Sequence, residues 1–332
     1  MRAMVLKAFR PIEKNPLELT NAAVPDPGAG EILLKVSVCG VCHTDLHTVE
    51  GELPHIPLPI IPGHQVVGLV ARRGEGSRRF EIGERAGIAW LHSACGTCRF
   101  CIKGNENLCV EGRFTGYHAN GGYAEYIRVP EKFAYTIPAI FSDEDAAPLL
   151  CAGIIGFRAL RLSGIQPGET LGLFGFGASA HVAIQVAVHR GCRVFVFSRS
   201  REHQDLARRL GAAWTGSAAD APPAKMNASV IFAPAGELVP SALRHTDKGG
   251  TVALAGIYMT PVPALDYQEH LYDERILRSV ANATRRDGEE LLEIAAEIPI
   301  KTTTQAFPLA EANRVLHLLK EGKITGAAVL KV

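Results

Sequence analysis

The sequence predicts an α/β protein with two domains, a small irregular β domain and a doubly wound parallel sheet. Its 332 residues are enough for about two domains of ordinary size. The segment before Ser142 is rich in proline and glycine and contains short strand-like runs, whereas strands and helices alternate from Leu171 onward. Such alternation is typical of a parallel sheet whose crossover connections are helices.

Two runs in the first segment have the character of β-strands. Glu31 to Val38 (EILLKVSV) and Gln65 to Val70 (QVVGLV) are short and apolar, and clusters of proline and glycine bound them. Bounded runs of this kind predict strands joined by long loops.

The domain junction is predicted where a helix begins at Ser142. Asp145 stands three residues after Ser142, as in an acidic variant of a capping box, and Gly164 supplies a stop signal. We therefore place the first domain at residues 1–148 and the second at 149–302.

The second domain shows the alternating pattern most clearly. Its predicted strands are 171–174, 193–198, 229–233 and 251–256, and its predicted helices are 178–189 and 202–210. A last helix at 310–321 and a strand at 327–332 lack the alternation, so we expect residues 303–332 to complete the first domain.

The composition excludes several functional classes. Hydrophobic residues make up 47% of the chain and charged residues 21%, and 35 Lys and Arg balance 34 Asp and Glu to a net charge of +1. This balance offers no excess of positive charge for nucleic acid or an anionic membrane surface. The N-terminus has no signal-peptide core, and the most apolar run, Ala146 to Phe157, is too short to span a membrane. We therefore expect a cytoplasmic protein that binds neither nucleic acid nor membranes.

Four cysteines form a cluster with the spacing of a metal site. Cys95, Cys98, Cys101 and Cys109 give the pattern C-x2-C-x2-C-x7-C. Four thiolates can close a tetrahedron around Zn²⁺ and leave no open position, so the pattern predicts a structural zinc. An iron–sulfur cluster and a pair of disulfides are the alternatives. Zinc is favoured because the ferredoxin spacing is not met and cytosolic chains rarely carry disulfides.

A glycine-rich turn joins the first predicted strand of the second domain to its helix. The segment GFGASA fits G-x-G-x-x-A through Gly175, Gly177 and Ala180. Between a strand and a helix this pattern indicates a dinucleotide site, since the glycines allow a tight turn and the helix N-terminus binds a pyrophosphate. A plain glycine-rich turn is the alternative.

Five motifs occur together in an order that resembles a known family. They are GVCHTDLH (40–47), PGHQVVG (62–68), the four-cysteine cluster, APLLCAG (147–153) and GFGASA (175–180). In this order they closely resemble the zinc-dependent alcohol dehydrogenases of the medium-chain dehydrogenase/reductase superfamily, over nearly the whole chain. The resemblance implies a GroES-like β domain plus a Rossmann domain.

The resemblance also implies a second, catalytic zinc. The matching ligand positions are Cys42, His64 and Cys151. Two thiolates and a neutral imidazole suit a Zn²⁺ ion with a fourth position open to an alcohol oxygen. Taken singly, each of these residues could equally be a buried core side chain. The two remaining cysteines, Cys39 and Cys192, are interpreted as packing residues.

Further roles follow from the same motifs. Thr44 is expected to accept the alcohol proton and His47 to release it to solvent, since a histidine ring exchanges protons near neutral pH. Asp45 is expected to orient His64. His43 matches a contact to the cofactor pyrophosphate and Trp90 a wall of the substrate pocket, although His47 and Trp90 also allow purely structural interpretations.

The cofactor preference is predicted from the end of the second Rossmann strand. An Asp or Glu there would bind the adenine ribose of NAD, and this chain has Ser198 and Arg199 instead. Because both side chains can bind a 2′-phosphate, we predict that NADP(H) is favoured over NAD(H). In the alternative interpretation, Arg199 and Arg201 point to solvent and interact with Glu202 or Asp205.

Two positions depart from the pattern of the family. The usual Glu after the zinc-ligand histidine is Gln65, and Ala327 stands near the C-terminus where many members place an Arg against the pyrophosphate. Arg285 and Arg286 are candidates to replace that Arg.

The sequence therefore predicts an NAD(P)-dependent alcohol dehydrogenase with two zinc ions per chain. Its substrate is expected to be a primary or secondary alcohol, or the corresponding aldehyde or ketone, and the chain is expected to form a dimer or tetramer. A polyol or sugar dehydrogenase of the same fold is one alternative, and a non-catalytic zinc- and nucleotide-binding module is another.

Overall fold

The computed structural model describes residues 1–332, which form two compact units. Unit 1 comprises Met1–Cys151, Ala283–Ala296 and Lys301–Val332, and unit 2 comprises Ala152–Asn282 and Glu297–Ile300. The first division thus falls close to the position expected from the sequence. Residues 283–296 differ from that expectation, because they pack with unit 1.

Strands and helices alternate in unit 2 and are mixed irregularly in unit 1. The strands are β1 (Arg2–Leu6), β2 (Leu17–Asn21), β3 (Glu31–Val41), β4 (Gln65–Arg73), β5 (Arg85–Ile88), β6 (Leu91–Ser93), β7 (Arg113–Phe114), β8 (Tyr126–Pro130), β9 (Ala134–Thr136), β10 (Thr170–Phe174), β11 (Arg193–Phe197), β12 (Trp214–Gly216), β13 (Met226–Ile231), β14 (Thr246–Leu254), β15 (Ile276–Ser279), β16 (Thr304–Pro308) and β17 (Ala327–Lys331). The helices are α1 (His43–Glu50), α2 (Arg99–Ile102), α3 (Asp143–Ala146), α4 (Ala152–Ser163), α5 (Ala178–His189), α6 (Arg201–Arg209), α7 (Leu238–His245), α8 (Tyr267–His270), α9 (Arg285–Glu297) and α10 (Ala312–Lys320).

Unit 1 is built on a seven-stranded sheet with β3 at its centre. The strand order is β16-β17-β3-β4-β5-β9, and β8 also pairs with β3. Strand β17 runs antiparallel to β3, with Leu330 opposite Cys39. The last strand of the chain therefore pairs within unit 1. The core of this sheet consists of fully buried side chains that include Ile32, Leu34 and Val66.

Unit 2 is the doubly wound sheet predicted from the alternating pattern. Its six strands follow the order β12-β11-β10-β13-β14-β15 and all pair in parallel. This order is typical of dinucleotide-binding folds, in which the ligand binds beyond the carboxyl ends of the strands. Helix α5 spans Ala178–His189, as predicted.

The helix predicted to begin at Ser142 is broken in the structure. The Ser142 hydroxyl accepts a hydrogen bond from Asp145 N at 3.1 Å, as expected for a cap, but α3 passes into a short 3-10 turn that ends at Leu150. Pro148 lies in this turn, and a proline removes a donor and crowds the preceding turn. The break leaves Cys151 in a non-helical conformation immediately before α4.

None of the helices combines the length and the hydropathy that a membrane span requires. Only the bent pair Asp143–Leu150 and Ala152–Ser163 reaches that length and composition together.

Candidate metal centres and nucleotide turn

Three elements of unit 1 bring Cys42, His64 and Cys151 together. Cys42 precedes α1, His64 precedes β4, and Cys151 lies at the break before α4. The two Sγ atoms are 4.0 Å apart, and His64 Nε2 lies 3.5 Å from Cys42 Sγ and 3.3 Å from Cys151 Sγ. The residues implied by the family motifs thus form one compact cluster.

These distances fit a tetrahedral zinc ion. Bonds of about 2.3 Å to sulfur and 2.0–2.1 Å to nitrogen place two sulfurs about 3.8 Å apart and a sulfur and a nitrogen about 3.6 Å apart. The measured separations lie within about 0.3 Å of these values. Three ligands leave the fourth position open, as catalytic zinc sites require.

Asp45 holds the imidazole of His64 in place. Both side chains are almost fully buried, with 2% and 1% exposure, and Asp45 Oδ1 lies 3.2 Å from His64 Nδ1. The same carboxylate accepts hydrogen bonds from Gly63 N at 3.2 Å and Cys42 N at 2.9 Å. Because the carboxylate occupies Nδ1, the Nε2 atom is the one that faces the two sulfurs.

The electrostatics of this cluster favour a cation. Burial lowers the pKa of His64, but the charges of Asp45 and Cys42 outweigh burial and raise it to about 10. The hydrogen bond to Cys151 and burial both raise the pKa of the Cys42 thiol well above its usual value. Both shifts arise because a carboxylate, an imidazole and two thiols share one buried site, and a divalent cation would offset the negative charge of the ligands there.

Helix α1 carries Thr44 and His47 three residues apart, on one face of the helix. Thr44 is buried, and His47 lies in the last turn, where its Nδ1 contacts the Glu52 carboxylate. The Glu52 N–H also donates to the His47 carbonyl at 3.0 Å, beyond the left-handed Gly51. This contact of Glu52 with His47 was not predicted from the sequence. The only signal that could have indicated it is an acidic residue five positions after the histidine. His43 is exposed at the start of the helix.

Aromatic side chains stand beside the three-residue cluster. The Trp90 ring meets the His64 ring edge-on at 5.0 Å between centroids. Phe114 stacks on Trp90 at 5.2 Å and Tyr117 lies at 5.5 Å. Trp90 thus lies next to the candidate zinc site, as the resemblance implied. These rings form an apolar wall beside His64.

Gln65 is buried immediately after His64. Its Nε2 atom has no hydrogen-bond partner, and Gly40 lies so close that a Cβ there would stand 2.9 Å from the Gln65 side chain. The amide is therefore confined by its neighbours.

The four-cysteine cluster forms a separate lobe of unit 1. All four thiols are free, and each Sγ lies within 4.8 Å of the others. The Cys95–Cys109, Cys98–Cys101 and Cys95–Cys101 sulfurs are 3.5, 3.6 and 4.0 Å apart. These values bracket the separation of about 3.8 Å expected for four sulfurs around zinc. Such a shell leaves no open position.

Backbone donors around Cys95 favour its thiolate form. The N–H of Thr97 and the N–H of Cys98, which lies 3.3 Å from Cys95 Sγ, lower the pKa of Cys95 to about 6. Donors directed at sulfur are suited to a thiolate that binds metal.

The nucleotide turn has the shape that its glycines predict. Gly175 has φ +86°, and a Cβ there would meet Ala233 at 2.9 Å. A Cβ on Gly177 would instead enter open space, and this residue precedes α5 without any side-chain cap. The first N–H groups of α5 are therefore open to a ligand, and a phosphate suits such a helix end. Ala180 is fully buried in the helix.

The end of β11 carries no carboxylate. Ser198 is buried, and its carbonyl accepts a hydrogen bond from Gln204 Nε2 at 2.7 Å. Arg199 is exposed and forms no ion pair. Asp205 pairs with Arg208 at 2.6 Å rather than with an arginine at the strand end.

The two arginines considered for the pyrophosphate have other partners. Arg285 binds Glu106, with Nη2 and Oε2 2.5 Å apart, and Arg286 pairs with Glu290 on the same helix. The Arg285 guanidinium is thus already neutralised, which argues against Arg285 as a phosphate ligand, whereas the pair of Arg286 is exposed and weak.

Comparisons with known proteins agree with this geometry. The family model described as the alcohol dehydrogenase GroES-like domain matches residues 28–139, and the model described as zinc-binding dehydrogenase matches residues 180–297. A probable alcohol dehydrogenase, AdhA, of Mycobacterium tuberculosis is 46% identical over 100% of this chain and 97% of its own length. An alcohol dehydrogenase of Geobacillus stearothermophilus is 36% identical, with full coverage of both chains. A cobalt- and zinc-bound thermostable alcohol dehydrogenase from Pyrobaculum aerophilum superposes with a TM-score of 0.90 at 25% identity, covering 100% of this chain and 99% of its own.

Proposed function

Because this chain belongs to the zinc-dependent alcohol dehydrogenases of the medium-chain dehydrogenase/reductase superfamily, we propose that Cys42, His64 and Cys151 hold its catalytic zinc. The observation that carries this proposal is the spacing of the two sulfurs and one nitrogen, which suits a tetrahedral ion with an open position. The enzyme interconverts an alcohol and its aldehyde or ketone with a nicotinamide cofactor. When bound, zinc supplies Lewis acidity toward the substrate oxygen, and the nicotinamide accepts or donates the hydride.

The residues of α1 would handle the proton of the alcohol. We infer that the Thr44 hydroxyl accepts this proton as it releases its own, and that His47, on the same face of the helix, receives the released proton. Glu52 contacts His47 Nδ1 and is half exposed, with 55% of its side chain open to solvent. This arrangement supports Glu52 as the group that hands the proton to water. Asp45 would fix the orientation of the His64 ligand.

The aromatic wall supports simple apolar alcohols over polyols as substrates. Trp90 meets His64 edge-on, and Phe114 and Tyr117 pack against Trp90, so a polyol would leave its additional hydroxyls against these rings without partners.

A panel of alcohols and aldehydes, followed through the absorbance of the reduced nicotinamide, tests the activity. Zinc content is measured on the same samples, and we expect two ions per chain. Cys192→Ser is a suitable control for Cys42→Ser, because Cys192 is buried in unit 2 and its Sγ only approaches the Gln166 carbonyl. Turnover in Cys42→Ser equal to that of Cys192→Ser would refute the catalytic assignment.

We propose NADP(H) as the preferred cofactor. No carboxylate stands at the end of β11 to bind a ribose 2′-hydroxyl, and the exposed Arg199 has no competing ion pair. Gly175, Gly177 and the uncapped start of α5 would bind the pyrophosphate, and His43 is exposed as a further phosphate contact.

Affinities for both cofactors in Arg199→Ala test this preference. Loss of one charge-assisted contact should weaken NADP⁺ binding by about 10- to 150-fold and leave NAD⁺ binding nearly unchanged. A wild type that prefers NAD⁺, or an equal effect on both cofactors, would show the assignment to be wrong.

We also propose that a second copy of the chain pairs along strand β15. This strand is one of the two edges of the parallel sheet, and its Ile276 is 51% exposed. Exposed apolar side chains are concentrated near it in sequence, among them Ile257, Tyr267 and Tyr272. Because an open apolar edge strand favours pairing with another chain, Ile276→Lys should reduce the molar mass measured in solution. Ile82→Lys, at an exposed apolar position of unit 1, should not.

A further inference from the structure

A charged contact joins the four-cysteine lobe to helix α9. Glu106 lies in a short 3-10 turn between Cys101 and Cys109, and only 9% of the residue is exposed. Its Oε1 accepts hydrogen bonds from Arg285 Nε at 2.9 Å and from the Arg285 backbone N–H at 2.8 Å, and its Oε2 accepts one from Arg285 Nη2 at 2.5 Å. Both the side chain and the backbone of Arg285 are therefore bound by one carboxylate.

Arg285 is the first residue of α9, so this carboxylate binds the end of a helix. The first N–H groups of a helix have no partner within the helix, and a negative charge beside them is stabilising. Glu106 thus acts as a cap supplied from outside the helix. Thr284 and Asp287 form the helix's own cap, since Asp287 Oδ2 accepts from the Thr284 N–H at 2.8 Å.

The guanidinium group is packed as well as paired. It lies over the ring of Phe133, 4.5 Å from the ring centroid, and Arg285 Nη1 donates to the Lys132 carbonyl at 3.3 Å. Only 11% of the Glu106 side chain and 36% of the Arg285 side chain are exposed. An ion pair with this degree of burial and these additional bonds is stronger than an exposed surface pair.

Helix α9 lies where the chain passes from one unit to the other. Residues Ala283–Ala296 pack with unit 1, and the chain re-enters unit 2 at Glu297. The chain therefore enters unit 1 just before α9 and returns to unit 2 at its end.

The lobe that presents Glu106 has no apolar core of its own. Its only helix, α2, has no buried residue, and Ile102 and Val110 are 75% and 73% exposed. A segment without a core depends on its metal to stay folded.

We propose that Glu106 couples metal loading of the four-cysteine lobe to the start of helix α9. With metal bound, the lobe holds the carboxylate against Arg285. Without metal, the lobe loses its structure, and α9 loses both its external cap and its ion pair. Glu106 is thus a positioning residue, and this inference rests on the proposed structural zinc.

Hydrogen exchange of peptides covering residues 283–291, read by mass spectrometry on the zinc-loaded protein, tests the coupling. Glu106→Gln should speed exchange in the first turn of α9 by about tenfold or more. Arg286→Gln is the matched control, because Arg286 is the next residue of the same helix and its exposed pair with Glu290 is weak. The control should change exchange by less than about twofold.

The decisive comparison combines Glu106→Gln with loss of the lobe metal. Cys98→Ser should speed exchange at α9 in the wild-type background and produce little further change in Glu106→Gln, because the two changes break the same link. Coupling between sites is reciprocal, so Glu106→Gln should also weaken zinc binding by the lobe about tenfold in competition with a chelator. This second measurement does not require Cys98→Ser to fold.

The outcomes separate this inference from the proposed function. A wild type that carries no zinc in the lobe would overturn the structural zinc and this coupling together. A zinc-loaded lobe with unchanged exchange at α9 in Glu106→Gln, or additive effects of Cys98→Ser and Glu106→Gln, would overturn the coupling alone.

Discussion

The two cysteine centres differ in what holds their ligands in place. The lobe takes all four cysteines from the single stretch 95–109, and it has exposed surroundings and no core. The other cluster takes Cys42, His64 and Cys151 from three separate elements, two of them next to strands β3 and β4 of the buried sheet. The Asp45 carboxylate contacts the Nδ1 atom of this histidine. With the proposed zinc ions bound, the first centre would use its metal to fold its segment, whereas the second would present ligands that the fold has already arranged.

This difference predicts opposite consequences of losing the metal. Removing metal from the lobe should remove structure, since nothing else holds the segment together. Removing metal from the three-residue cluster should remove chemistry and leave the surrounding core folded, because backbone pairing of β3 with β4 and the packing of many apolar side chains stabilise that core.

The largest expected effect is the contrast between Cys42→Ser and Cys98→Ser. Cys42→Ser should lower kcat/KM by more than about a hundredfold and leave Tm nearly unchanged. Removing a residue that only hydrogen-bonds to a metal ligand already lowers activity by up to about a hundredfold, and Cys42 is itself a proposed ligand. Cys98→Ser should lower Tm by about 10 °C, which corresponds to roughly 3 kcal/mol for a domain of this size. Calorimetry and steady-state kinetics on both variants measure the two effects.

The reverse result would contradict this view of the two centres. If Cys42→Ser unfolded unit 1 and Cys98→Ser folded normally but lost activity, the lobe would be the reactive centre. Equal losses of Tm in both variants would show that neither cluster is held in place by the core.

A smaller effect is expected for Asp45→Asn, which tests the support of the buried cluster. The amide cannot accept from His64 Nδ1–H, Gly63 N–H and Cys42 N–H as two carboxylate oxygens do. We expect zinc affinity at the buried cluster to fall by about 10- to 100-fold and zinc in the lobe to be unaffected. Chelator competition that resolves the two zinc ions provides the measurement, and equal weakening of both sites would argue against this role of Asp45.

The smallest effect concerns the release of the alcohol proton. Only the reaction at the buried cluster produces this proton. Glu52→Gln should lower kcat for alcohol oxidation by about tenfold at pH 6 and less as pH rises, because proton loss to water is hardest in acid. His47→Gln should show the same trend with a larger amplitude. Added imidazole buffer should restore part of the rate in both variants.

Glu50→Gln provides the matched control on the same helix. Glu50 pairs with Lys320 and accepts from the Ile12 N–H, so its loss should lower stability without a pH-dependent change in rate. A loss of rate in Glu52→Gln that is constant from pH 6 to pH 9 would indicate a structural role for the Glu52 carboxylate.

The same contrast explains what the sequence could predict. Cys95 to Cys109 follow a local spacing that already implies a tetrahedral metal site. His64 lies 22 positions from Cys42 and 87 from Cys151, so only the family motifs identified these three residues as a set. The parallel sheet and helix α5 were predicted because each rests on local periodicity.

Contacts that depend on tertiary structure escaped prediction. Glu52 reaches His47 only because Gly51 reverses the chain after α1. Glu106 and Arg285 are 179 positions apart, and no local pattern links them, so Arg285 was instead considered for phosphate. The helix break before Cys151 was missed although Pro148 stands in the run, because a proline near a helix start is often tolerated.

The pairing of β17 with β3 has a consequence for how the molecule is made. A ribosome synthesises Cys42 and His64 early, but β17 follows only after the whole of unit 2. Until then the end of β3 at Val38–Val41 lacks its partner, and the N–H and C=O groups of that end stay unpaired on one side. Unit 2, in contrast, comes almost entirely from one continuous stretch and can fold as soon as it emerges. The later unit in the chain can therefore reach its final structure before the earlier one.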